Sequence, residues 1–180
     1  ADHDHRGRFD EKMADVAERF PSEWIEASNR RGRLRVQNAD EDRLQTGRAY
    51  YLDSQSLVSL TPLQAENLGE SPALHEFMHR MEVSRPDIKA AEWAFWSRRA
   101  GTEEVRSMSA LTGNPAYGPD ERGISDEFTN PYMGKRYAAP LSGETSPWEL
   151  MSRGVEAVYH GAHQIDDDYR AFVLGTLSML

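Results

Sequence analysis

The chain has 180 residues, of which 38% are hydrophobic and 28% are charged, a composition typical of one folded domain with a sizeable core. It contains no cysteine, which excludes disulfides, thiolate metal sites and thiol nucleophiles. A net charge of −9 disfavours nucleic-acid and anionic-membrane partners. Because no segment has the pattern of a signal peptide or the length of a membrane span, we expect a soluble single domain over residues 1–180, with a disordered tail at residues 1–8.

The N-terminal third of the chain combines helical and strand patterns. Apolar residues at three- and four-residue steps predict helices over residues 9–29, with an interruption at Pro21. Alternation at Leu34 and Val36 predicts a short edge strand. Two apolar segments within residues 48–60, separated by a turn at residues 53–55, predict a β-hairpin.

Residues 75–79 have the pattern H-E-x-x-H. On a helix, residues four apart share one face, with Cβ atoms about 5–6 Å apart, so the two imidazoles can bind one zinc ion. Glu76 can hold the metal-bound water and act as the general base. The pattern therefore predicts His75 and His79 as zinc ligands and Glu76 as catalytic. The alternative is a buried helix whose histidines are four residues apart by coincidence.

The flanking residues define this helix well. Ser71 suits the N-cap and Pro72 suits the first helical position. One stripe at helical spacing is apolar and contains Leu74, Phe77, Met78 and Met81. A second stripe beside it contains His75, His79 and Glu82. We therefore expect the helix to lie inside the molecule, at the floor of a cleft.

The C-terminal half is predicted to contain three more helices. One runs from Pro86 to the terminator Gly101, the next covers residues 147–159 with Ser146 as N-cap, and the last begins at the aspartates of residues 166–168. Residues 102–144 are rich in glycine and proline and lack regular patterning. The sequence leaves open whether they form a lid over the site or a docking surface.

A catalytic zinc site normally has three protein ligands, so a third ligand is expected outside residues 75–79. The metzincin pattern is excluded, because Glu82 and Arg85 stand where its glycine and third histidine belong. Residues 148–152, WELMS, are instead similar to the pattern N-E-x-x-S-D of gluzincins, with Trp148 in place of Asn and Arg153 in place of Asp. Together with HEFMH, this segment resembles zincin metallopeptidases of the gluzincin type.

The gluzincin resemblance implies that Glu149 is the third zinc ligand. Glu156, two turns further along the same helix, is the alternative ligand or a partner that orients His75 or His79. A competing interpretation is a capping box between Ser146 and Glu149, in which the carboxylate bonds the backbone of the N-cap. Because gluzincins often carry a tyrosine or histidine near the third ligand, the resemblance also implies an oxyanion donor.

The oxyanion donor implied by the resemblance is Tyr137, with Tyr132 as the second choice. The layout of residues 48–160 also looks like small zincin-like domains of bacterial toxins and phage structural polyproteins. This likeness implies a helix-rich α+β fold in which a short β-sheet packs on the active-site helix. It supplies no substrate, compartment or oligomeric state.

The sequence favours a zinc-dependent metallopeptidase that acts on a protein or peptide, either a bacterial effector or toxin or a phage-associated protease. The first alternative is a catalytically inactive binding or structural module that keeps the zincin fold. The replacement of the gluzincin Asp by Arg153 supports this alternative. The second alternative is a zinc hydrolase of a non-peptide substrate. The H-E-x-x-H pattern positions a water molecule but does not determine which kind of bond that water hydrolyses.

Overall fold

The computed structural model describes residues 11–38, 49–60, 71–125, 131–138, 145–161 and 164–179. Helices and short sheets occur together, which confirms the α+β class. The chain divides into two compact units, Ala1–Pro86 with Leu177–Leu180, and Asp87–Thr176. The predicted tail at residues 1–8 lies outside the described residues. In the described part of the chain, no helix has the length and apolar character needed to cross a membrane.

The first unit combines helices with a three-stranded sheet. Its elements are helix α1 at residues 11–17, helix α2 (Ser22–Arg30), strands β1 (Arg35–Asn38), β2 (Tyr50–Leu52) and β3 (Leu57–Leu60), and helix α3 (Ser71–Ser84). Strand β3 is central and pairs in parallel with β1 and antiparallel with β2. The predicted edge strand and hairpin are therefore confirmed, and a 3-10 turn at Asp53–Gln55 closes the hairpin.

Helix α3 packs against helix α2 and against strands β2 and β3. The predicted apolar stripe lies in the core: Leu74, Met78 and Met81 are fully buried. Phe77 meets Phe20 edge-on, with ring centroids 5.4 Å apart. The expectation that a short sheet packs on the H-E-x-x-H helix is thus confirmed.

The Arg80 side chain anchors helix α3 inside the first unit, although arginine is rarely fully buried. Its guanidinium donates to the Ser28 hydroxyl at 3.1 Å and to the Ser28 carbonyl at 2.9 Å. It also donates to the Gly32 carbonyl at 2.9 Å, the Ser56 hydroxyl at 2.9 Å and the Tyr51 hydroxyl at 3.3 Å. One side chain therefore links α3 to the end of α2 and to the β2–β3 turn.

Further polar contacts lead from Arg80 back to helix α3. Burial raises the pKa of the Tyr51 phenol, so it stays neutral and donates to the Asp53 carboxylate at 3.0 Å. Asp53 pairs with Arg31 at 2.8 Å, and Arg31 donates to the Val83 carbonyl at 3.3 Å. The C-terminal half of α3 is consequently held at two successive turns.

We expect Arg80→Ala to lower the free energy of unfolding by at least about 3 kcal/mol, because several buried acceptors lose their donor together. The control is Arg30→Ala on helix α2, where the side chain is exposed, and we expect a change within about 0.5 kcal/mol. Urea titration of both variants measures the difference. Equal stability of the two variants would contradict the anchoring role.

The described residues of the second unit form four helices and a four-stranded antiparallel sheet. Its elements are helix α4 (Pro86–Ala100), strand β4 (Arg106–Ser107), helix α5 (Met108–Thr112), strands β5 (Arg122–Gly123), β6 (Lys135–Ala138) and β7 (Thr145–Ser146), and helices α6 (Leu150–His160) and α7 (Asp167–Leu177). The strand order is β4-β5-β6-β7. The region at residues 102–144 was predicted to be irregular, but the part of it that the structure describes contributes three strands and one short helix.

Aromatic contacts join the helices of the second unit. Phe95 stacks on Phe172 with centroids 4.2 Å apart and on Tyr169 at 5.5 Å, which joins α4 to α7. Helix α6 approaches α7 closely at Gly154, where an added Cβ would clash with Val173 Cγ2 and lie 3.5 Å from Tyr169 Cε2. Because the β-branched Val173 has few alternative rotamers, this approach requires glycine.

We expect Gly154→Ala to lower the free energy of unfolding by about 1–3 kcal/mol, because overpacking outweighs the gain in helix propensity. Gly175→Ala is the matched control on α7, where an added Cβ would meet nothing within 4 Å. This control should stabilise the protein by about 0.5–1 kcal/mol. Denaturation midpoints of the two variants measure whether each substitution lowers or raises the stability. A stabilising Gly154→Ala would contradict the close packing.

Candidate metal centre

The two histidines of the H-E-x-x-H segment lie side by side on helix α3. Their ring centroids are 4.9 Å apart and their ring planes are almost perpendicular, at 88°. A tetrahedral zinc ion with Zn–N distances of about 2.1 Å would hold two imidazole centroids about 5 Å apart. His75 is 8% exposed and the His79 side chain is 12% exposed, so both rings are largely shielded from water. The pair therefore has the spacing that two ligands of one metal ion need.

Glu76 is buried beside the histidines, which is uncommon for a carboxylate. Successive helical residues are rotated by about 100°, so Glu76 lies beside the stripe of His75 and His79 and not within it. A general base must reach a water molecule at the ligands without taking a ligand position itself. The placement of Glu76 on α3 is compatible with that role.

His79 has a carboxylate partner on its own helix. The His79 Nδ1 atom lies 2.8 Å from Glu82 Oε2, and the Glu82 side chain is fully buried. This distance is within the range of a charge-assisted hydrogen bond. One ring nitrogen of His79 is therefore engaged by protein, and the chemistry of the ring depends on the other nitrogen.

Glu149, the predicted third ligand, belongs to the second unit, where it is buried immediately before helix α6. The predicted start of this helix at Pro147, with Ser146 as N-cap, is wrong. Ser146 pairs with Tyr137 in the β6–β7 ladder, and the helix begins at Leu150. Glu149 itself occupies the N-cap position and makes no side-chain capping bond.

Helix α6 is capped by a residue from helix α4. The buried Glu92 carboxylate accepts a hydrogen bond of 2.9 Å from the Met151 N–H. Burial raises the pKa of the Tyr169 phenol well above its ordinary value, so it remains protonated and donates to the Leu150 carbonyl at 2.6 Å. Because Glu92 supplies the cap, the Ser146–Glu149 capping box does not define the start of α6.

Arg153 follows Glu149 by one turn, at the position of the gluzincin Asp. Its Nη1 lies 3.1 Å from Glu156 Oε2, and its Nε lies 4.0 Å from Glu149 Oε2. Burial alone would lower the pKa of the Arg153 guanidinium, but Glu156 and Glu149 together raise it above its ordinary value. The second unit thus places one guanidinium beside both carboxylates that the sequence singles out.

The two candidate oxyanion donors, Tyr137 and Tyr132, both belong to the second unit. Tyr137 lies on β6, and its side chain is outside the described residues. Tyr132 is buried in the 3-10 turn Pro131–Gly134, with its ring centroid 4.9 Å from the Arg153 guanidinium carbon. The ring is also 4.9 Å from Lys135 Nζ. Tyr132 therefore packs directly against the residue that pairs with Glu149 and Glu156.

Two carboxylates, one in each unit, have roles that the sequence does not predict. Glu82 was visible in the histidine stripe, and its three-residue spacing from His79 was a signal for a direct contact. Glu92 gave no signal, because the backbone it caps lies 59 residues further along the chain. The partners of Arg153 could be predicted from the sequence, because Glu149 precedes it by four residues and Glu156 follows it by three.

Comparison with known proteins identifies no relative of this chain. Neither a family model, nor a curated protein, nor a solved structure matches the chain. The function is therefore inferred from the residues of the site alone.

Proposed function

We propose that this chain is a zinc-dependent metallopeptidase of zincin-like fold, with His75, His79 and Glu149 as the zinc ligands. The observation that carries the proposal is the pair of shielded imidazoles, 4.9 Å apart, on a helix that also buries Glu76. Glu149 is included because it stands where the gluzincin pattern has its third ligand. Two histidines and one glutamate are a ligand set of catalytic zinc.

Zinc would supply a Lewis acid for the scissile carbonyl and would lower the pKa of a water molecule. Glu76 takes a proton from the attacking water and then delivers it to the leaving amine. A tyrosine hydroxyl, from Tyr137 or Tyr132, donates to the oxyanion as the carbonyl becomes tetrahedral. Glu156 is the alternative third ligand, or a partner that orients one of the two histidines.

A second function, an inactive zincin-fold binding or structural module, is favoured by one observation. Arg153 is ion-paired with Glu156 and lies 4.0 Å from Glu149, so a guanidinium already compensates carboxylates that a metal would otherwise compensate. In such a module, α3 and α6 would have structural roles only. Metal content distinguishes the two functions, because the module requires no zinc.

We expect purified wild-type protein to bind one zinc ion per chain and Glu149→Ala to lose most of this zinc, because two histidines alone form an incomplete site. The matched control is Glu104→Ala, which removes an exposed carboxylate of the same unit and should keep the full zinc content. Elemental analysis after dialysis, with a melting curve of each zinc-free protein, provides the measurement.

The outcomes of this measurement are distinct. If Glu149→Ala keeps its zinc and Glu156→Ala loses it, the third ligand is Glu156. Wild-type protein that takes up no zinc from excess metal would refute the metallopeptidase proposal and would leave the binding module.

We expect Glu76→Gln to keep its zinc and to lose turnover by about 10²–10⁴-fold, because the amide cannot accept the proton of the attacking water. Mass spectrometry of a complex peptide mixture incubated with each zinc-loaded protein measures cleavage. Normal cleavage by Glu76→Gln would contradict the mechanism. Hydrolysis of small amides or esters without any peptide cleavage would instead favour the non-peptide zinc hydrolase.

A further inference from the structure

The contact between His79 and Glu82 is built into helix α3. The two residues are three positions apart, so their side chains lie over one another on one helix face. The Nδ1···Oε2 distance is 2.8 Å, and the exposed fractions of the two side chains are 12% and 0%. Burial of a carboxylate is costly unless it accepts hydrogen bonds, so the contact is a stable part of the folded unit.

The chemistry of this contact determines which nitrogen of His79 is available. With Glu82 ionised, its carboxylate only accepts hydrogen bonds, and the proton of the contact is then on Nδ1. In a neutral imidazole the other nitrogen then carries the lone pair. An ionised Glu82 thus favours the tautomer of His79 in which Nε2 carries the lone pair, and it restrains rotation of the ring.

We propose that Glu82 is a positioning residue that holds His79 in the Nδ1–H tautomer with Nε2 directed to the metal. This inference rests on the proposed function, because the role has meaning only if His79 is a ligand. Hydrogen bonds from the second nitrogen of a ligating histidine to a carboxylate fix the ring and raise its basicity. Here the carboxylate comes from the ligand's own helix, whereas Arg153 occupies the position of the gluzincin Asp on helix α6.

Zinc affinity, measured by competition with a chromophoric chelator, tests this role without any substrate. We expect Glu82→Gln and Glu82→Ala to bind zinc about 10–100-fold more weakly than wild type, the usual cost of removing such a partner. Glu82→Gln preserves the side-chain volume, so it separates loss of the carboxylate from loss of packing. Glu26→Gln, at an exposed glutamate of α2, is the matched control and should bind zinc like wild type.

A second readout uses the wild-type protein without metal and depends on no variant. Long-range ¹H–¹⁵N correlations of the histidine rings, recorded at mildly alkaline pH where imidazole is ordinarily neutral, report which nitrogen carries the proton. We expect the Nδ1–H tautomer for His79 in wild type. We expect a mixture of tautomers in Glu82→Gln, because the glutamine amide can either donate to Nδ1 or accept from it.

The two readouts separate failure of this inference from failure of the proposed function. Zinc-binding wild type with an unweakened Glu82→Gln, or with His79 in the Nε2–H tautomer, would overturn the positioning role and leave the metallopeptidase proposal intact. Wild type that binds no zinc would overturn both. A Glu82→Gln variant with weakened zinc binding and an unchanged melting curve for the zinc-free protein supports positioning over a general structural role.

Discussion

The buried guanidinium of Arg80 is the constraint on which the placement of helix α3 depends. All of its hydrogen-bond partners that the structure describes are neutral: two serine hydroxyls, a tyrosine hydroxyl and two backbone carbonyls. A buried charge without these acceptors is strongly unfavourable, so a helix shifted by one turn would lose them together. Because His79 is the residue before Arg80, the anchor also fixes where the histidine stripe lies.

The anchor and the apolar stripe act in different ways. Leu74, Met78 and Met81 supply the burial that holds α3 against the sheet, but apolar packing tolerates small shifts in register better than a set of directional hydrogen bonds does. Arg80 supplies these directional bonds, which link α3 to the end of α2 and to the β2–β3 turn. A metal site needs ligand positions accurate to a fraction of an ångström, so the proposed role of the histidines depends on this combination.

The sequence predicts the structural features that are determined by residues close to one another in the chain. The hairpin follows from its alternating strands, helix α4 from Pro86 and Gly101, and the helical face shared by His75 and His79 from their spacing. The start of α6 does not follow, because Ser146 satisfies every local rule for an N-cap and is nevertheless taken by a strand. The partners of Arg80 and Glu92 are likewise set by residues far away in the chain, which no local pattern encodes.

The charges buried on helix α3 relate the fold to the chemistry. With both imidazoles neutral, the helix buries two carboxylates, Glu76 and Glu82, against one guanidinium, Arg80. A divalent cation bound by His75 and His79, as proposed above, would add positive charge beside these two carboxylates. Metal ligation at Nε2 requires that this nitrogen carry no proton, whereas a proton on Nδ1 can remain in the contact with Glu82. The proposed metal would therefore bring positive charge to the helix without displacing the hydrogen bond between His79 and Glu82.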